Sequence, residues 1–339
     1  MTCDNPKITV VIPIYNGEGF ISETLNSLKQ QTLSDFEVIC VDDCSTDNSK
    51  EIVLKFCLAD SRFRYIQTPE NFGYAAKVIN FAISHINGLY YMYSSQDDLF
   101  SHDLFEKALG AAEAVDADFV IPDLEFYYPQ QEINVRKVGV HGDRSIVLNG
   151  KEAFRLSLDW TIPGNGIVRT KLIKRYKYFD FGTYADGYTA RYFLLKSDKI
   201  TFCDGVFFYR QDNPEAITKK ISPKRLDWPY TAYRIWELTY DNFPKSRESR
   251  FCAVRAVRSL LYAEMMILKN PELKIHYAKV NNARQNMRTK IFISEIMIIR
   301  EIKELLEAIF LLTLLLLPNF SKYAIYLIFH IKKFMRKSG

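Results

Sequence analysis

Apolar runs and helical stripes alternate along the first 215 residues, regularly enough to assign elements before any chemistry is considered. Ile8–Ile14 (ITVVIPI) is an apolar β-branched run, which suits a strand buried on both faces. A turn at Tyr15–Gly17 leads into a helical pattern through Gln31, and Phe36–Val41 (FEVICV) repeats the strand signal before stopping at Asp42 and Asp43. Ser45, Thr46 and Asp47 follow as N-cap candidates for the next helix. Phe63–Gln67 predicts a third strand, and Asn71–Gly73 turns into a helix reaching about Ile86. Tyr90 then opens a short aromatic run, YYMY, which ends in Ser94, Ser95, Gln96 and two adjacent carboxylates, Asp97 and Asp98. Strand and helix at this spacing predict right-handed βαβ crossovers and an α/β fold with a mainly parallel sheet and helices on both faces. Tyr15, Asp42, Asp43, Asp97 and Asp98 fall at the carboxyl ends of its strands, where such sheets form their ligand crevice.

Beyond Asp98 the pattern predicts a helix from about Asp103 to Val115, a strand over Asp118–Pro122 and a less regular region to Gly150. Trp160–Arg169 (WTIPGNGIVR) carries one Pro and two Gly, as expected of a loop that closely approaches something else. Thr183–Leu195 places Asp186 at the head of an amphipathic helix, and Lys199–Arg210 reads as strand, turn and strand. From about Pro223 the pattern is helical with polar faces to about Lys303, and from Leu305 it becomes strongly apolar. These shifts divide the chain into residues 1–215, a C-terminal helical region over 216–304 and a tail over 305–339.

Composition narrows the class. With 48% hydrophobic and 25% charged residues, most of the 339-residue chain is expected to be globular. The six cysteines include no C-x-x-C pair and read as reduced thiols of a cytosolic protein, and the polar stretch Met1–Lys7 gives no secretory signal. Five histidines without an H-E-x-x-H pattern argue against a zinc enzyme. The net charge of +5 conceals a division: from Lys245 onward there are 18 Lys and Arg against 7 Glu and no Asp, while the rest is net acidic. That basic segment interleaves its charges with aliphatic stripes rather than stacking aromatics, which points away from nucleic acid.

Carboxylates where a strand leaves a sheet pack poorly but bind hard divalent cations well. One or two of them, with phosphate oxygens in the remaining positions, is the usual grip on a nucleotide diphosphate. Capping of the helix near His102–Glu106 is the plainer use of Asp97 or Asp98.

The run VVIPIYN, SLKQQT, FEVICVDDCSTDNS, N-x-G at Asn71–Gly73 and SSQDD, in this order and spacing, resembles the family 2 glycosyltransferases of the GT-A (Rossmann-like) fold. The likeness covers roughly residues 7–125, and more loosely extends to about 215. It implies a nucleotide-sugar-binding catalytic domain over 1–215. It also implies that Tyr15, in the turn that begins at Pro13, lies against the nucleotide base, that Asp43 bonds a uracil-like edge, and that Asp42 shapes the pocket. The family's D-x-D motif falls on Ser95, Gln96 and Asp97, followed by Asp98. Its first acid is therefore a serine here, leaving Asp97 and then Asp98 as ligands of Mg²⁺ or Mn²⁺.

An acceptor hydroxyl must lose its proton as it attacks the anomeric carbon, which calls for a carboxylate on the acceptor side. The family draws it from an E-D pair at a helix start. YADGYTARYFLL resembles that segment with Ala185 in the glutamate position, making Asp186 the general base. Helix capping is the alternative role for Asp186. Arg210 stands where related enzymes place a residue near the diphosphate, with a surface salt bridge as the alternative. The resemblance implies inversion in a single displacement. Without the Q-x-x-R-W string of processive members, one sugar per encounter is expected, from a nucleotide-sugar donor, with a UDP-sugar favoured, to a glycan or lipid-linked acceptor.

Two other readings compete. An oxidoreductase is disfavoured because Gly17 and Gly19 lack the third glycine of G-x-G-x-x-G. A catalytically weak sugar-nucleotide-binding protein on the same fold is suggested by Ser95 and Ala185. For the tail, Ala308–Leu317 (AIFLLTLLLL) is half the roughly 20 residues that span a bilayer, and Tyr323–Phe334 resumes the apolar pattern with Lys332, Lys333, Arg336 and Lys337 nearby. Peripheral attachment to the cytoplasmic face of the membrane through 305–339 is expected, with packing onto the chain or a homodimer partner as the alternative.

Overall fold

The computed structural model describes residues 6–131 and 134–294. The tail of residues 305–339, on which the membrane expectation falls, lies outside the described residues. The chain divides into two units. One comprises Met1–Phe181 and Ala185–Pro214, the other Gly182–Tyr184 and the chain from Glu215 onward.

The first unit begins β1 (Ile8–Ile14), α1 (Ile21–Lys29), β2 (Phe36–Asp42), α2 (Ser49–Ala59), β3 (Phe63–Gln67), α3 (Ala75–Ala82) and β4 (Tyr90–Tyr93). It continues β5 (Leu99–Phe100), α4 (Leu104–Val115), β6 (Phe119–Tyr127), β7 (Val135–Lys137), α5 (Gly150–Leu158), β8 (Ile167–Arg169), α6 (Thr170–Tyr176), α7 (Ala185–Lys196) and β9 (Ile200–Arg210). All nine strands join one sheet in the order β3-β2-β1-β4-β8-β6-β9-β5, with β7 on β6.

The unbroken apolar runs have a direct cause. Val10 and Ile12 of β1, Val38 and Cys40 of β2 and Met92 of β4 enter one core with Leu25 of α1 and Phe105 of α4. Val11, Ile39 and Tyr91, on the opposite face, enter a second core with Val78 of α3 and Phe193 of α7. A strand covered on both faces has no polar side to show. From β3 to β4 the pairing is parallel, as the crossovers require. Beyond β4 the sheet is mixed: β8 is antiparallel to β4 and β6, while β6 and β9 run parallel.

The strand, turn and strand expected over Lys199–Arg210 is one strand. Pro122 pairs with Cys203 and Asp123 with Val206, so Asp204 and Gly205 bulge out of a ladder that resumes in the same direction. This bulge lets β9 run on to Arg210, beside the Ser94–Asp98 turn.

The second unit holds α8 (Trp228–Asn242), α9 (Arg247–Lys269) and α10 (Tyr277–Ser294). Trp236, Val257, Leu260, Ala283 and Met287 are buried in it. Its buried Glu264 pairs with Arg284 and accepts from the Tyr277 hydroxyl at 2.9 Å, so neither charge is left uncompensated. Among the described residues no helix is long and apolar enough to cross a membrane, and Cys40, Cys44, Cys57, Cys203 and Cys252 form no disulfide.

Candidate active site

The turns after β1 and β2 are stitched side by side. Asn16 adopts a left-handed conformation (φ 49°), which Asn tolerates better than most residues. Its side-chain oxygen accepts from Thr46 N at 2.8 Å, while Asn16 N donates to Ser45 Oγ at 3.0 Å and Gly17 N to Ser49 Oγ at 2.8 Å. The polar run that reads as helix capping therefore also clamps the neighbouring turn. Tyr15 projects from this clamp and is 46% exposed. Pro13 pairs with Val41 in the ladder just before it.

Asp42 and Asp43 are buried at the end of β2. Asp42 accepts from Ser45 N at 3.0 Å and the Tyr65 hydroxyl at 2.8 Å. Asp43 accepts from Phe72 N at 2.7 Å, Gly73 N at 2.9 Å and Thr68 Oγ1 at 3.1 Å. Both Asp43 oxygens thus fasten the Asn71–Gly73 turn, and Asn71 Nδ2 returns a bond to Asp43 O at 2.9 Å.

The Ser94–Asp98 turn is held from three sides. Gln96 closes a ring with the Tyr15 backbone: Tyr15 N donates to Gln96 Oε1 at 2.9 Å and Gln96 Nε2 donates to Tyr15 O at 3.2 Å. Ser95 O accepts from Ser94 Oγ at 3.1 Å within the turn. Asp97 Oδ2 accepts from Asn213 Nδ2 at 2.7 Å, and Asp98 Oδ1 from Arg210 N at 3.1 Å. The Arg210 side chain is 2% exposed. Its Nε donates to Asp97 O at 2.7 Å, its guanidinium pairs with Glu23 and Asp212, and the rings of Phe20 and Tyr127 lie against it. Arg210 ties α1, the acidic turn and β9 together from within, instead of forming a surface salt bridge.

Burial, and next the charge of Asp97, push the Asp98 carboxyl up to about 8. A cation at this pair would relieve both effects, so the two acids fit a hard divalent ion. Among the described residues no group of three or more His, Cys, Asp or Glu is placed to hold a metal. The protein would therefore offer one or two carboxylates and leave the other positions to ligand oxygens.

Asp186, in the first turn of α7, lines a cavity of about 70 Å³ walled by Tyr91, Tyr93, Phe119, Tyr178 and Phe193. Burial raises its carboxyl above the ordinary range. The same charges converge on two tyrosines. Tyr93 is raised by burial, then by Asp186, with a smaller push from Asp98, and Tyr209 is pushed up to about 12 by burial, then by Asp98, Asp97 and Asp186. Tyr93 lines the cavity with Asp186 and stands at the end of β4, from which the chain leads directly into the turn that carries Asp97 and Asp98. Ala185, in the glutamate position, is fully buried. Sequence reasoning missed Tyr209, Glu23 and Asn213. They belong to a strand end, a helix surface and a loop, and only tertiary pairing reveals them.

A sheet with turns so clamped and carboxylates gathered at its carboxyl edge has the GT-A fold of glycosyltransferases, and solved structures agree. Residues 1–349 of TarS from Staphylococcus aureus, in complex with UDP-GlcNAc, match with a TM-score of 0.57 at 18% identity over 84% of this chain and 91% of that one. The complex of the same protein with UDP gives 0.54 at 17% identity, covering 84% and 90% of the two chains. Identity this low speaks for the fold alone. The sequence model described as glycosyl transferase family 2 matches residues 9–212, and the chain belongs to that family. Among curated relatives, the glycosyltransferase GlyG of Streptococcus pneumoniae is 29% identical over 218 residues, 60% of this chain and 70% of GlyG. TuaG of Bacillus subtilis, a putative teichuronic acid biosynthesis glycosyltransferase, is 35% identical over 109 residues, 32% of this chain and 43% of TuaG. The poly(ribitol-phosphate) beta-N-acetylglucosaminyltransferase TarS of Staphylococcus aureus is 32% identical over 117 residues, 34% of this chain and 20% of TarS.

Proposed function

We propose that the chain moves one sugar from a UDP-sugar to a hydroxyl of a glycan or lipid-linked acceptor in cell-surface polysaccharide synthesis, with inversion at the anomeric carbon. The observation that carries this reading is that two carboxylate centres meet at the end of β4: Tyr93 lines the cavity with Asp186 and leads directly into the turn that carries Asp97 and Asp98. One centre suits the donor diphosphate and the other the acceptor. UDP as the carrier is supported by the UDP and UDP-GlcNAc complexes of TarS. A cell-surface polymer as the product is supported by the names of TarS and TuaG.

In this reading the exposed ring of Tyr15 lies against the base, in a pocket shaped by Pro13, Asp42 and Asp43, while Ser95, Gln96 and Arg210 hold the acidic turn against the donor. Asp97 and Asp98 would hold Mg²⁺ or Mn²⁺, which would neutralise charge developing on the diphosphate. Asp186 takes the proton of the acceptor hydroxyl. The acceptor oxygen bonds to the anomeric carbon as the bond to the diphosphate oxygen breaks, and the electron pair leaves with UDP. The raised carboxyl of Asp186 is a stronger base than an exposed aspartate and suits that task.

Turnover of UDP-, GDP- and dTDP-sugars, measured with Mn²⁺ and with a chelator, tests the proposal. Metal-dependent turnover of a UDP-sugar is expected. Tight donor binding without turnover would instead favour a binding protein, the reading that Ser95 and Ala185 suggest.

A further inference from the structure

The cavity beside Asp186 is lined by three glycines, and they are glycine for different reasons. A Cβ on Gly166 would lie 2.1 Å from Val120 O, so the backbone itself forbids a side chain there. A Cβ on Gly164 would meet the Cβ of Ala190 at 3.1 Å, which is also tight. Gly187 differs. It lies within α7, has no positive φ, and its Cβ would meet nothing closer than Arg191 Nη1 at 3.8 Å, an ordinary contact. Arg191 is already anchored, donating to Gly187 O at 2.7 Å and Ser157 O at 3.1 Å. Alanine at 187 would fit the fold and favour the helix. Neither backbone geometry nor packing accounts for this glycine, which lines the cavity next in sequence to the proposed base.

We propose that Gly187 keeps the cavity beside Asp186 open as an acceptor subsite, which receives a small uncharged group, of hydroxymethyl to acetamido size, next to the attacking hydroxyl. The size follows from the volume of about 70 Å³, and the lack of charge from the walls: aromatic rings, glycines, Val168, Ala190 and the neutral amide of Asn165, with no Lys, Arg or His among the described lining residues and Asp186 as their one carboxylic acid. An acceptor with phosphate or carboxylate groups would turn them away from this pocket. The inference rests on the transferase reading above and adds to it which acceptors fit.

The test compares wild type with Gly187→Ala and Gly187→Val. Three quantities are measured: the melting temperature, UDP affinity with Mn²⁺ by calorimetry, and transfer from UDP-GlcNAc to the methyl glycosides of glucose, N-acetylglucosamine and xylose. Xylose lacks the hydroxymethyl group. Gly187→Ala is expected to raise Tm by roughly 1–3 °C and to leave UDP affinity unchanged. Its transfer to the glucose and N-acetylglucosamine glycosides should fall about tenfold or more, xylose being least affected, and Gly187→Val should extend the loss. Wild-type transfer rates in both variants, or equal losses on all three glycosides, would overturn the subsite. A wild-type chain that neither binds UDP nor turns over the donor would instead remove the transferase reading and the subsite with it, an outcome distinct from failure of the variants alone.

Discussion

Asp97 and Asp98 are adjacent in sequence but held differently, and this decides what each substitution does. Asp97 is half-buried and bound through one oxygen to Asn213, so Asp97→Asn keeps the shape and removes a charge. UDP affinity with Mn²⁺ is expected to fall about tenfold or more, with little change in the presence of a chelator, and calorimetry under both conditions checks it. Asp98 is buried and its carboxyl is raised to about 8. A raised acid is ionised in the unfolded chain before it is ionised in the folded one. Its contribution to stability is therefore complete below about pH 4 and is lost as pH rises to about 8. Without metal, Asp98→Asn should raise Tm at pH 8, flatten the decline between pH 5 and 8 and abolish metal-dependent UDP binding. A variant that melts lower at pH 8 would show that the charged form is already compensated. Asp186→Asn should keep UDP affinity and lose transfer by about 10²- to 10⁴-fold, the usual range for a general base. Near-normal turnover would reduce Asp186 to a helix cap.

At the scale of elements, what the sequence shows depends on whether a signal is local. β1, β2 and β4 are legible because both faces are buried and nearly every position is apolar, the buried Thr9 and Glu37 bonding each other. β5, β7 and β8 are two or three residues long and exist only through their partners, so no local pattern announces them. The bulge at Asp204–Gly205 reads as a turn because Asp-Gly is turn chemistry. That the chain resumes pairing with β6 is a tertiary fact. The site divides the same way: its acids stand at strand ends or, for Asp186, at a helix start and can be read from the sequence, whereas the ring between Gln96 and Tyr15 and the burial of Arg210 join distant segments. Arg210 also gives the element-scale prediction. Arg210→Met removes the buried donor to Asp97 O and loosens the turn against α1 and β9, for a loss of about 3 kcal/mol in urea denaturation. Glu23 is 59% exposed. Glu23→Gln should therefore cost under about 1 kcal/mol. Equal losses would place the strength of the tie in the ion pair, not in the hold on Asp97.

For the whole molecule the charge division is the feature that a family 2 catalytic unit does not itself require. The 18 Lys and Arg against 7 Glu from Lys245 onward make a basic segment of a chain that is otherwise net acidic. Within that segment the buried Arg284 is matched by Glu264, so its charge is internally balanced, whereas Lys332, Lys333, Arg336 and Lys337 follow an apolar stretch with no acid after Glu307. Apolar residues that enter the headgroup boundary and cations that face anionic lipid reinforce each other, each Lys or Arg near the surface adding about 1 kcal/mol at moderate salt. A lipid-linked acceptor would be met at such a surface. The full chain is therefore expected to co-sediment with vesicles of mixed phosphatidylglycerol and phosphatidylcholine, less so as salt rises, and not with phosphatidylcholine alone. Truncation before Leu305 should abolish the binding and leave UDP affinity intact. If the full chain stays in the supernatant at low salt and runs as a stable dimer that truncation converts to monomer, the tail is a packing element and acceptor supply must be explained without the membrane.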